Sequence, residues 1–94
     1  MDVVEITSTC DITKMNQLLV CNASNPIVVS LKRSATGRCC GYYIKNIGTG
    51  TATITPMLND FIDGAASRDL LQWESIFIMD YSLYNWIVIS DNHL

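Results

Sequence analysis

Apolar residues recur along the chain in short runs that alternate with polar ones, and turn-forming residues separate the runs. A two-residue period belongs to the β-strand, whose successive side chains point to opposite faces. Residues 3–7 (VVEIT), 17–22 (QLLVCN) and 27–32 (IVVSLK) predict the first three strands. In the third, Ile27, Val29 and Leu31 share one face, while Val28, Ser30 and Lys32 share the other. Residues 39–47 (CCGYYIKNI) predict a longer strand in which Gly41 marks a bulge or a close backbone approach. Residues 51–56 (TATITP) predict another, which Pro56 ends. Between these two, Gly48-Thr49-Gly50 predicts the tight turn of a β-hairpin. Residues 57–69 are the least regular: Asp63-Gly64 is a turn signal, and AASRDLL has length for a single helical turn at most. Runs at 69–73, 74–80 and 84–90 predict the last strands, ahead of a polar tail at 91–94.

Short strands with turn signals between them, no amphipathic helix and no internal repeat predict an all-β fold. The expected form is a compact antiparallel β-sandwich or barrel of about seven to nine short strands. The length of 94 residues predicts one domain over 1–94, with residues 1–10 an N-terminal strand or arm.

The last two strands break the rule that a half-exposed antiparallel strand alternates apolar with polar. Ile76 and Ile78 oppose Phe77 and Met79, and Tyr84, Trp86 and Val88 oppose Ile87 and Ile89, so both faces are apolar. A small domain has little material for a second covering layer. Phe77, Met79, Tyr84, Trp86 and Val88 are therefore expected to be interface or packing residues, with a neighbouring subunit the favoured covering layer and the chain's own loops the alternative. Composition strengthens this reading. Apolar residues make up 49% of the chain and charged residues 16%, against roughly 25% charged in an average domain. So little charge covers a lone domain poorly, and association hides the apolar remainder.

The formal net charge of −3 argues against nucleic-acid binding, which needs a basic surface. Lys32, Arg33 and Arg38 read as a solvated loop. No apolar run approaches the roughly 18 residues of a membrane span, and the first residues lack the pattern of a secretory signal. Cys10, Cys21, Cys39 and Cys40 form no compact framework and are expected to be free, partly buried thiols.

No constellation of catalytic residues stands out, and the chain is expected not to be an enzyme and to need no cofactor or metal. Gly48-Thr49-Gly50 is followed by a strand and by no Lys-Ser/Thr pair, so it is neither a phosphate loop nor a dinucleotide fingerprint. His93 lies at the chain end, a poor place for a positioned base. Cys39 and Cys40 are strand neighbours and point to opposite faces, which disfavours a two-thiolate metal clip. Asn59, Asp60 and Asp63 suit turns better than a calcium loop or a glycosidase pair. Asn22-Ala23-Ser24 matches a glycosylation sequon. Trp73, Trp86, Tyr42, Tyr43, Tyr81 and Tyr84 are candidates for a sugar-binding platform, with core or interface packing the favoured role.

The order of features resembles a β-rich module of tailed-bacteriophage structural proteins. In that module an I-x-V-x-L strand precedes a Gly, then come Y-x-I-K-N-x-G-x-G-x-x-T-I, I-D-G, an aromatic-Glu-Ser strand and a final Asn-Trp strand. The matching residues are Ile27, Val29, Leu31, Gly37, Tyr42 or Tyr43, Ile44, Lys45, Asn46, Gly48, Gly50, Thr53, Ile54, Ile62, Asp63, Gly64, Glu74, Ser75, Asn85 and Trp86. They span roughly residues 11–90. The module usually carries Gly just before the Asn-Trp pair, where this chain has Tyr84, so the last hairpin is expected to be longer or differently shaped. The resemblance implies a virion protein without catalytic residues, often trimeric. A capsid decoration or cement protein bound to the major capsid protein or other virion proteins is the leading expectation. A tail-fibre or receptor-binding tip that grips a host glycan is the alternative. Gly48, Gly50, Asp63 and Gly64 are expected to be turn residues.

Overall fold

A computed structural model describes residues 2–12, 14, 17–31, 41–82 and 84–92. The basic loop of Lys32, Arg33 and Arg38, the Cys39-Cys40 pair and His93 lie outside these residues.

Among the described residues ten strands form in chain order: β1 (Asp2–Ile6), β2 (Cys10–Asp11), β3 (Gln17–Cys21), β4 (Ile27–Ser30), β5 (Gly41–Asn46), β6 (Ala52–Thr55), β7 (Phe61–Ile62), β8 (Arg68–Leu70), β9 (Ser75–Ser82) and β10 (Asn85–Asn92). They make a six-stranded sheet, β1-β3-β5-β9-β10-β7, and a four-stranded sheet, β2-β4-β6-β8. The all-β expectation is met, but the sheets are mixed rather than antiparallel. β1, β3 and β5 run parallel in one layer and β2, β4 and β6 run parallel in the other. Antiparallel pairing enters with β8, β9 and β10.

This topology corrects the hairpin expected at Gly48-Thr49-Gly50. β5 and β6 do not pair; they lie in opposite sheets, joined by a short arch over 47–51. β1 with β2 and β3 with β4 form arches of the same kind, and the three stack in parallel register. Alternation predicts which residues face inward but not which strand is the neighbour. The glycines serve the stacking. A Cβ on Gly48 would lie 2.4 Å from the backbone N and O of Ala23, and one on Gly50 2.1 Å from the carbonyl O of Asn25. The arch over 47–51 therefore rests directly on the backbone of the one over 22–26. The stack is a structural repeat with no repeated sequence.

Inward positions of both layers merge into one core that includes Leu19, Cys21, Ile27, Val29, Tyr42, Ile44, Ile54, Leu70, Ile76, Ile78 and Trp86. Ile27, Val29 and Leu31 share the buried face as expected, and Val28 is exposed. Asn46 is a buried polar tie between layers. Its Nδ2 donates to the carbonyls of Gly50 (2.9 Å) and Leu70 (2.8 Å), and its Oδ1 accepts from the Gly48 N–H (3.0 Å).

Smaller corrections follow from the same register. The strand expected at 69–73 is β8, which ends at Leu70; residues 71–74 form a turn in which Glu74 N–H donates to the Leu71 carbonyl. No helical turn forms over 65–71. The expected tail begins later, because β10 extends to Asn92. Asp63-Gly64 is a turn as expected. Both residues have positive φ, 49° and 79°, and Ile62 and Ala65 exchange backbone hydrogen bonds around them. That is the two-residue hairpin turn for which Asp-Gly is suited.

Candidate docking face

The outward surface of the six-stranded sheet gathers apolar side chains in rows across the strands. Val3, Leu18, Tyr43 and Phe77 are successive register partners from β1 to β9, and Ser90 of β10 ends the row. The rings of Tyr43 and Phe77 stack at 4.2 Å with their planes 15° apart. Gly41, Met79 and Ile87 form the next row. Leu18, Phe77, Met79 and Ile87 are half-buried, while Tyr43 and Val3 are 46% and 67% exposed. A shallow groove of about 300 Å³ runs beside the stacked rings, bounded by Leu18, Lys45, Ser75 and Ser90.

β9 builds this face because its Phe77 and Met79 are outward in a strand whose Ile76 and Ile78 are fully committed to the core. β10 contributes through a bulge. Val88 pairs with Ile78 and Ser90 with Phe77, so Ile89 is the extra residue and stands 53% exposed.

The five residues expected to pack as a group thus separate. Phe77 and Met79 lie on the outer face. Trp86 is fully buried and Val88 packs against the core, so these two belong to the domain's own interior. Tyr84 lies at the turn between β9 and β10 with φ 71°, a left-handed conformation where the resembled module has Gly. Leu18 was not singled out by sequence, and Tyr43 and Ile87 were not placed with Phe77 and Met79 on one face. Their signal is the cross-strand register, which alternation does not contain.

The aromatic set divides likewise. Trp86 and Tyr42 are core residues whose rings meet at 5.8 Å, while Trp73, Tyr43, Tyr81 and Tyr84 are exposed. Trp73 sits in the turn between β8 and β9 at φ 73°, its N–H donating to the Asn46 carbonyl and its carbonyl accepting from Lys45 Nζ at 2.6 Å. In the irregular segment Asp60 is buried, whereas Asp63 is exposed and its Oδ1 accepts from the Val88 N–H at 3.0 Å. The Asp63 carboxylate thus serves the backbone of β10.

Cys10 and Cys21 are free thiols, with Cys21 fully buried. Burial, with a smaller contribution from Cys10, pushes the Cys21 thiol up to about 11. Burial and then the Asp11 carboxylate raise Cys10. Burial, followed by the Asp80 carboxylate, pushes the Tyr42 phenol up to about 12; its hydroxyl donates to the Lys14 carbonyl at 2.6 Å. These groups are held protonated and suit packing rather than nucleophilic chemistry.

Comparisons with protein-family models, curated proteins and solved structures return no match. The geometry defines a class: an all-β domain of two mixed sheets with an apolar, aromatic outer face on the larger one.

Proposed function

We propose that the chain is a bacteriophage virion structural protein that acts by association rather than catalysis. It is a capsid decoration or cement protein, trimeric, bound to the outer surface of the shell formed by the major capsid protein. The observation that carries this reading is the outer sheet face of Leu18, Tyr43, Phe77, Met79 and Ile87. A contiguous apolar surface of this kind is a mark of protein–protein contact. A stacked aromatic pair at its centre has the composition of an interface anchor. The virion setting rests on the resemblance of residues 11–90. Mechanistically, a protein that binds only assembled shell stabilises that assembly by mass action.

The test uses shells stripped of accessory proteins. Adding the protein should raise their disruption temperature, and Phe77→Lys with Tyr43→Lys should abolish both binding and protection while the variant melts as a folded domain. Binding that survives both substitutions overturns the role of this face. Light scattering at micromolar concentration tests the trimer, and a clean monomer refutes it. The second reading, a receptor-binding fibre tip, is favoured by one observation: Trp73 is half exposed and held in a left-handed conformation at an arch turn. Glycan-array binding that Trp73→Ala removes would select it, as would a handful of copies per virion instead of hundreds.

A further inference from the structure

The stack of arches is covered at one side and open at the other. Past β5 and β6 the layers continue through β9, β10 and β7 and through β8. At the opposite side they stop at β1 and β2, whose outer edges pair with no further strand among the described residues. Between those edges opens a cleft of about 390 Å³. Val4 and Ile6 line it from one layer, Cys10 and Ile12 from the other. Inside the stack, the corresponding space is filled by side chains of the next arch.

β1 is guarded as an edge strand only by the charges of Asp2 and Glu5. Its five residues, DVVEI, include no Lys and no Pro, and its backbone donors and acceptors form a ready template. Charge indicates what fits there. Among the described residues, Asp2 at the edge and Glu5 and Asp11 around the cleft stand against Lys14 alone. Two copies meeting edge to edge would bring the same carboxylates together, which disfavours a second copy.

We propose that the open end of the stack is a strand-acceptor site for an extended segment of another protein. The segment hydrogen-bonds along β1, sends alternate apolar side chains into the cleft and meets the acidic rim with Lys or Arg at its ends. This site and the outer sheet face share only Val3 of β1, so either holds without the other.

The test titrates isotope-labelled protein with a short acetylated peptide of alternating valine and threonine between lysine ends. Expected results are resonance shifts on Val3–Ile6 and Cys10–Ile12 and slowed hydrogen exchange of β1 amides. The Glu5→Lys/Asp11→Lys double variant should bind at least about tenfold more weakly, since charge complementarity is reversed. Shift mapping on the unaltered chain keeps the test independent of how that variant folds. Four results overturn the proposal: no shifts at β1 at millimolar peptide, shifts confined to Tyr43 and Phe77, equal binding by a peptide with serine for valine, or β1 protection that rises with protein concentration alone. The last would assign the edge to a second copy.

Discussion

Replacing Asn46 by Ala removes a buried side chain that ties the arch over 47–51 to β8 of the opposite sheet. Its amide makes three hydrogen bonds of 2.8–3.0 Å, all within the buried interior. Each bond contributes about 1 kcal/mol net, and a buried group left without its partner costs about 1–3 kcal/mol. The Gly48 N–H keeps a second acceptor in the Cys21 carbonyl at 3.2 Å, and the carbonyls of Gly50 and Leu70 have two lone pairs each, so the three lost bonds set most of the cost. The sum is about 3–5 kcal/mol, a large part of the roughly 5–14 kcal/mol that holds a domain of this size. Urea titration should show that loss, and the melting temperature should fall by about 15–30 °C. Asn46→Asp is a sharper probe. At neutral pH a carboxylate can still accept from Gly48 but faces two carbonyls with nothing to donate. It should be at least as damaging as Ala and recover partly on acidification, when the protonated acid donates one bond. An Asn46→Ala protein within about 1 kcal/mol of the original would refute the idea that this residue fastens the arch.

The glycine contacts make a graded prediction: Gly48→Ala and Gly50→Ala each drive a Cβ into neighbouring backbone and should cost more than about 2 kcal/mol. Gly64→Ala meets nothing within 4 Å and strains only a φ of +79°, so chemical denaturation should show about 1 kcal/mol. Tyr84→Gly should stabilise the domain by up to about 1 kcal/mol, since left-handed strain is relieved at some entropic cost; a lower melting temperature would count against strain at the β9–β10 turn. Alkaline pH should destabilise the fold through two buried groups whose folded-state pKa values are raised, Cys21 to about 11 and Tyr42 to about 12. Their stabilisation is fully present below the unfolded-state values of 9.0 and 10.0 and is lost as pH rises through the folded ones. The slope is at most about 1.4 kcal/mol per pH unit per group. Urea melts from pH 9 to 11 should show it, and Tyr42→Phe should flatten its upper part; an unchanged slope would exclude the phenol as a source.

Strand content was legible because β-structure writes a local period into the sequence. Eight of the ten strands overlap runs expected to be strands, including β4, whose Ile27 and Val29 face the core as the alternation requires. β2 and β7 have two residues each, too few for a period to appear. Pairing was not legible. The segment IKNIGTG carries the same glycine-rich signal whether the chain turns back into its own sheet or crosses to the other. What decides is where Asn46 finds partners and whether the space above Ala23 and Asn25 admits a Cβ, and both are facts about the neighbouring arch.

The docking face shows the same division between local and non-local information. That β9 is apolar on both sides is visible in SIFIM, and it correctly places Phe77 and Met79 opposite Ile76 and Ile78. Extending the argument to β10 fails, because the bulge at Ile89 shifts the register and because Trp86 faces inward against Tyr42. The more informative residue is Gly41. It reads in sequence as a bulge or a close approach, and it is a close approach: a Cβ there would lie 2.8 Å from the Ile78 carbonyl O, 3.1 Å from Met79 Cγ and 3.2 Å from Phe77 Cε1. The glycine lets the side chains of Phe77 and Met79 lie down over β5, which keeps the row of Gly41, Met79 and Ile87 low beside the stacked Tyr43 and Phe77 rings. A larger residue at this position would lift Met79 and Phe77 away from the sheet. A side chain can be lost from a solvent-facing strand position without exposing the backbone only where neighbours cover it. Here those neighbours are apolar, so the same glycine that relieves crowding also flattens the surface offered to a partner.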